Sequence, residues 1–95
     1  MGNKMESAKL VVFKGKNIRR VIHNNEWWFS VTDVIEALTG TDRPRKYWSD
    51  LKNKLKNEGY VELSDKIGQL KLEAPDGKMR ETDCANAETM FRLIT

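Results

Sequence analysis

The sequence predicts a small α+β domain: an N-terminal antiparallel β-meander, a helix-turn-helix-like pair, a β-hairpin placed like a wing, and a C-terminal helix. Three observations predict it. Apolar, β-branched runs separated by turn residues occupy the first thirty positions. Two apolar stripes at helical spacing follow, on either side of a Gly-containing connection. Alternation with a period of two then resumes around Pro75-Asp76-Gly77. With 95 residues the chain forms one domain, 1–95, and a chain of this size buries only about 60–65% of its unfolded surface.

Residues 1–8 hold no apolar run and are expected to be disordered. Leu10-Val11-Val12-Phe13 predicts a strand, turned by Lys14-Gly15-Lys16-Asn17. Residues 18–22 return, and Asn24-Asn25 offers a tight hairpin turn because Asn tolerates positive φ. Residues 26–29 close the meander. Their aromatics, Trp27, Trp28 and Phe29, read as core and cross-strand partners ahead of any ligand-stacking role, since aromatics supply much of the buried area in small domains. Ser30 then caps a helix, with Asp33 reaching back three residues later. Val31, Val34, Ile35 and Leu38 form its stripe, and Gly40 ends it.

The second helix spans 44–57. Pro44 suits a first turn, where a missing N–H costs nothing, and Gly59 is a natural stop. Tyr47, Trp48, Leu51 and Leu55 fall on one side for the core. Arg45, Ser49, Lys52, Asn53 and Lys56 fall on the opposite side, with Lys46 at its edge. The pattern over residues 60–63 assigns no element. Leu70, Leu72 and Ala74 then alternate with Gln69, Lys71 and Glu73 in a half-buried strand, Pro75-Asp76-Gly77 turns, and 78–81 returns with Met79 inward and Lys78 and Arg80 outward. Either a DNA-contacting wing or a plain structural hairpin fits this segment. Thr82-Asp83 reads as the cap of a final helix with Ala87, Met90, Phe91 and Ile94 inward. That stripe meets no terminator before Thr95, which predicts an N-terminal fragment of a longer protein.

Charge is concentrated in one place. Six of the seventeen Lys and Arg residues (Arg43, Arg45, Lys46, Lys52, Lys54 and Lys56) lie in residues 43–56 against a single acid, Asp50. The window carries a local charge of +5 in a chain whose net charge is +3 and whose pI is near 9.1. Such a patch suits a polyanion, above all a phosphate backbone. The plain alternative is a solvated face that keeps the protein soluble, but the acids that usually intersperse such a face are missing.

Several function classes recede. One cysteine, Cys84, permits no internal disulfide, which points to a reducing compartment, the cytoplasm. No apolar stretch is long enough for a membrane span. A single histidine, His23, and a single cysteine make no metal cluster, and neither a nucleophile elbow nor a phosphate-cradling Gly loop is present. A binding module without cofactor is expected rather than an enzyme.

The motif Trp27-Trp28-Phe29-Ser30-Val31-Thr32-Asp33-Val34-Ile35 with Ala37-Leu38, then Pro44-Arg45-Lys46-Tyr47-Trp48 with Asp50-Leu51-Lys52, then Leu70, Leu72, Asp76-Gly77-Lys78 and Thr82-Asp83, resembles the Bro-N domain. This is the N-terminal domain of the BRO family of phage antirepressor-like and baculovirus proteins. The resemblance runs from about Val11 to Ile94 and implies a DNA-binding domain, often at the front of a longer prophage or mobile-element regulator. It also implies a compact α+β fold related to KilA-N and APSES-type domains.

The leading reading is double-stranded DNA binding in transcription control. The helical wheel, not the family, nominates Arg43, Arg45, Lys46, Ser49, Lys52, Asn53 and Lys56 as contacts, and the hairpin adds Lys78 and Arg80. The alternative is a protein-interaction module that binds a repressor without touching DNA. RNA binding is weaker, for want of an RNP-type aromatic motif or a GXXG loop. A homodimer is compatible with either leading reading.

Overall fold

The computed structural model describes residues 10–94, so the expectation of disorder over 1–8 lies outside the described residues. The meander forms as expected from β1 (Leu10–Phe13), β2 (Lys16–His23) and β3 (Glu26–Ser30), all antiparallel. Each of its connections holds two successive residues at positive φ: Lys14 at 55° and Gly15 at 77°, then Asn24 at 53° and Asn25 at 65°. Two-residue turns of this hand follow the natural twist of the strands they join, so Lys-Gly and Asn-Asn fix the register of both hairpins.

The chain passes directly from β3 into α1 (Val31–Thr39). Ser30 Oγ accepts the Asp33 backbone N–H at 3.3 Å, the expected cap. Gly40, at φ 71°, closes the helix by donating its N–H to the Glu36 carbonyl at 2.9 Å. A four-residue connection leads to α2 (Pro44–Asn57). Its end is a Schellman motif: Gly59 N–H donates to Lys56 O at 3.3 Å and Tyr60 N–H to Leu55 O at 2.8 Å. Gly59 sits at φ 82°, a conformation a side chain would strain. The unassigned segment that follows is a short helix, α3 (Val61–Ser64), which buries Leu63.

The second half completes one sheet. Strands β4 (Gly68–Glu73) and β5 (Met79–Asn86) form the expected hairpin, and the strand order β1-β2-β3-β5-β4 joins it to the meander through β3. Cys84, Ala85 and Asn86 pair with β3, whereas Met79 to Asp83 pair only with β4, so the outer part of the hairpin projects past the meander. Thr82-Asp83 do not cap a helix. They lie within β5, and Asn86 caps α4 (Ala87–Ile94), its Oδ1 accepting the Thr89 N–H at 3.0 Å. This shift rotates the final stripe. Met90 and Thr89 are buried and Leu93 packs on the core, while Phe91 and Ile94 are exposed. Met79, expected inward, is exposed as well.

The core is the space between sheet and helices, where Val31, Ile35, Trp48, Ala85 and Met90 are buried together. Phe29, the cross-strand partner of Ala85, packs against them, as do Val34, Leu51, Ile67 and Leu93. Trp27 and Trp28 are half-buried rather than fully enclosed. Tyr47, expected in the core stripe of α2, is exposed.

A side-chain tie joins β2 to the start of α1 and to the end of β4. The Arg19 guanidinium donates to both oxygens of Asp33, from Nε at 2.8 Å and Nη2 at 3.1 Å, and Arg19 N–H reaches Asp33 Oδ2 at 2.9 Å. Nη1 of the same side chain donates to the Glu73 carbonyl at 3.0 Å, so β2 is bound to the end of β4, which is not its neighbour in the strand order. Asp33 therefore serves Arg19 rather than reaching back to the Ser30 backbone. The hydrogen bonds to Asp33, with its charge, outweigh the burial of Arg19 and raise its pKa, so the guanidinium keeps its charge. Removing one partner of a partly buried bidentate pair leaves the other unsatisfied. Arg19→Ala is expected to cost about 2–3 kcal/mol in urea unfolding, and Arg19→Lys, which keeps the charge but loses the fork, to recover only part of that loss. Equal stability of Arg19→Ala and the parent chain would remove the clip from the account.

Candidate nucleic-acid interface

α2 is the element on which the candidate site depends, and its rotation about its own axis decides what faces water. Trp48 and Leu55 are buried and Leu51 is half-buried. Trp48 is also bonded: its indole Nε1–H donates to Asp83 Oδ2 at 2.7 Å. Lys52 Nζ reaches the same oxygen at 3.2 Å and lies 5.4 Å from the Trp48 ring centroid. Gln69 Nε2 donates to Asp83 Oδ1 at 3.3 Å. Burial opposes ionisation of Asp83, but the bonds from Trp48 and Lys52, the charge of Lys52 and the bond from Gln69 together outweigh it and hold the carboxyl below its usual range.

With Trp48 pinned downward, Arg45, Ser49 and Asn53 stand exposed in one line at i, i+4 and i+8, with Lys56 beside them. At about 1.5 Å per residue the strip from Arg45 to Lys56 is about 16 Å long. The helix start has no capping side chain and no acid in its first turn. The connection before it is held by hydroxyls: Thr39 Oγ1 accepts Thr41 N–H and Thr41 Oγ1 accepts Arg43 N–H, both at 3.1 Å.

The structure divides the nominated residues into three groups. Arg43, Arg45, Ser49, Asn53 and Lys56 are exposed on or just before α2, and Lys46 is exposed too but paired with Asp50 at 3.2 Å. Lys52 is a correction. Rather than facing out with the strip, it turns toward the sheet and spends its charge on Asp83. Lys78 and Arg80 sit on the hairpin, where Arg80 pairs with Asp76 at 2.5 Å. The Arg80 and Lys78 N–H bonds hold the Asp76 carboxyl below its ordinary range. Among the described residues, Arg43, Arg45, Lys54, Lys56 and Lys78 have no acidic partner.

Between α2 and the hairpin runs an open cleft of about 1040 Å³, and Arg45, Lys52 and Arg80 all line it. Lys78 is not among the lining residues. Three cations that the sequence reading passed over, Arg19 and Arg20 of β2 and Lys71 of β4, share the same cleft. No group of three metal-ligating side chains occurs among the described residues, and Cys84 is fully enclosed, with burial pushing its thiol up to about 11. No helix among the described residues is long and apolar enough to cross a membrane.

Asp83 can be tested directly. A carboxylate whose folded value is depressed contributes stability that is fully present above the unfolded value of about 3.9 and is lost as pH falls through the lower folded value. Asp83→Asn keeps an acceptor for Trp48 and removes the charge. It is expected to cost about 1–2 kcal/mol at neutral pH and to flatten the acid limb below about pH 4, measured by urea unfolding across pH with Trp fluorescence. An acid limb identical to that of the parent chain would show that α2 is anchored otherwise.

The comparisons with known proteins agree with the motifs. A family model for the BRO family, N-terminal domain, matches residues 17–95. Searches of curated proteins and of solved structures returned no match. A match over all but the first sixteen residues, a range that takes in the strands, helices and hairpin of the cleft, places this chain in the BRO family as its N-terminal domain.

Proposed function

We propose that this domain binds double-stranded DNA through the exposed flank of α2, with α1 and α2 acting as a helix-turn-helix-like pair, in a transcription regulator of a prophage or mobile element. The observation that carries the proposal is the strip Arg45, Ser49, Asn53 and Lys56, which is exposed along the helix and contains no acid. Arg can form a bidentate pair with guanine and Asn with adenine, and Ser can serve either. Arg43 and Lys56 flank this line and suit phosphates, which position a protein on the duplex without reading it. The reading is that of a binding module in the cytoplasm, without catalysis or cofactor.

A second reading, docking onto a repressor protein, draws on exposed apolar side chains away from the strip, Tyr60 and Val61 at 52% and 55% exposure beside α3. Salt separates the two. DNA binding through counterion release weakens steeply as salt rises, whereas an apolar protein contact hardly responds.

Fluorescence anisotropy on a labelled duplex across a salt series is the test. Arg45→Gln with Lys56→Gln is expected to make the slope of log K against log salt shallower by about 2 while the melting temperature stays within a few degrees. Arg45→Ala alone is expected to cost about 1–3 kcal/mol on a site selected from a random pool and to relax preference at one base position. A uniform loss over all single-base variants would make Arg45 a phosphate contact, and an unchanged salt slope in the double variant would move the DNA surface off α2.

A further inference from the structure

The outer part of the β4–β5 hairpin stands beyond the meander. Pairing of β5 with β3 ends at Cys84, and Met79 lies five residues further out, about 17 Å at the rise of an extended strand. The tip is braced from within. Gly77 N–H donates to the Ala74 carbonyl and Ala74 N–H to the Lys78 carbonyl, both at 2.8 Å. The Asp76 carboxylate accepts the Lys78 N–H at 3.0 Å and pairs with Arg80. Gly77, at φ 85°, takes the left-handed conformation that closes a three-residue hairpin loop. Side chains carried by such a loop leave it in set directions.

Two side chains at the tip take no part in this bracing. Lys78 and Met79 are both exposed, Met79 at 59%, and Asp76, the acid beside Lys78, is already paired with Arg80. Successive residues of a strand point to opposite faces. Met79 accordingly lines the cleft toward α2 and Lys78 does not. With Ala74 and Pro75, Met79 makes the hairpin end of that cleft apolar, while Arg45 of α2 lines it from the other side. One acid, Glu73, stands opposite Met79 and lines the cleft as well. A ligand is therefore best received against Met79 by an uncharged part, with its negative charge placed at Lys78 and Arg45. A chain in which apolar sugars alternate with phosphates has that pattern.

We propose that the hairpin tip is a second contact for the duplex, with Met79 packed on a deoxyribose beside the α2 site and Lys78 bonded to a neighbouring phosphate. The inference rests on the DNA-binding reading above. Lys78 supplies a point charge, which suits a phosphate, and Met79 supplies a flexible apolar surface that adapts to the sugar. Arg80, nominated with Lys78 from the sequence, is occupied in holding the loop.

The experiment measures anisotropy of the full 95-residue chain on a labelled mixed-sequence duplex over a salt series. The proteins are the parent chain, Lys78→Gln, Met79→Ala, Met79→Leu, and Arg45→Gln with Lys56→Gln. Lys78→Gln is expected to make the slope of log K against log salt shallower by about 1 and to weaken binding about 5-fold at about 0.15 M salt. Met79→Ala is expected to weaken binding by roughly 3- to 10-fold at every salt concentration alike, because an apolar contact releases no counterion. Met79→Leu, of similar volume, should keep the parent's affinity. Both positions are exposed, so melting temperatures should stay within a few degrees and the losses are read on folded protein. Lys78→Gln with the parent's slope, or Met79→Ala with the parent's affinity, overturns the hairpin contact. If the α2 variant flattens the slope in that case, the DNA reading stands. A parent chain with no salt-dependent affinity for the duplex overturns both.

Discussion

One carboxylate sets the geometry on which the surface of this domain depends. Asp83 lies at the point where β5 stops pairing with β3 and continues with β4 alone, and it receives bonds from Trp48 and Lys52 of α2 and from Gln69 of β4. A helix packed on a sheet by apolar contact alone could roll by tens of degrees at small cost, because hydrophobic burial has no direction. A hydrogen bond does have direction. The short bond from the Trp48 indole fixes the roll of α2, and once the roll is fixed, Arg45, Ser49 and Asn53 can only point away. The outward strip is thus a consequence of an inward bond.

The Arg19–Asp33 clip does for the sheet what Asp83 does for the helix. It joins β2 to the start of α1 and, through the Glu73 carbonyl, to the far end of β4. These two ties make the cleft, and they also reduce its free charge. Arg19 and Lys52 are drawn into holding the fold together, Arg80 bends back to Asp76, and Lys46 bonds to Asp50 one turn along. A charge count over residues 43–56 therefore overstates what a ligand meets, since two of its six cations already have partners. What remains is spread over a wider area than one helix face.

The parts legible in the sequence were those whose signal is local. Asn24-Asn25, the Ser30 cap, Gly40 and Gly59 each act within a few residues, and each forms as read. The failures share one cause: a partner far away in the chain. Lys52 lies close to Trp48 on the helical wheel and could have gone to either side, and it was drawn inward by an acid 31 residues later. Thr82-Asp83 looks like a helix start, but pairing first with β4 and then with β3 carries the strand on to Asn86, which makes the same kind of cap. Arg20 gave no signal at all, because nothing in an alternating strand pattern tells which cation will stack on Trp27 or face α2 across the cleft.

The start of α2 adds an electrostatic argument for the proposed role. A helix N-terminus carries partial positive charge and unpaired N–H groups, so an acid there is favourable and a cation costs roughly 0.3–1 kcal/mol. α1 obeys this rule, with Ser30 as its cap and Asp33 in its first turn. α2 inverts it: no side chain caps it, no acid lies in its first turn, and Arg43, Arg45 and Lys46 gather there instead. Its other end, with Lys54 and Lys56 in the last turn, is arranged as stability requires. The same chain thus builds one helix start for stability and leaves the next uncapped beside three cations. An anion docked there would meet the open N–H groups and the cations together and would offset the cost. Under the proposed reading, a phosphate of a duplex lying along Arg45, Ser49 and Asn53 would supply that anion.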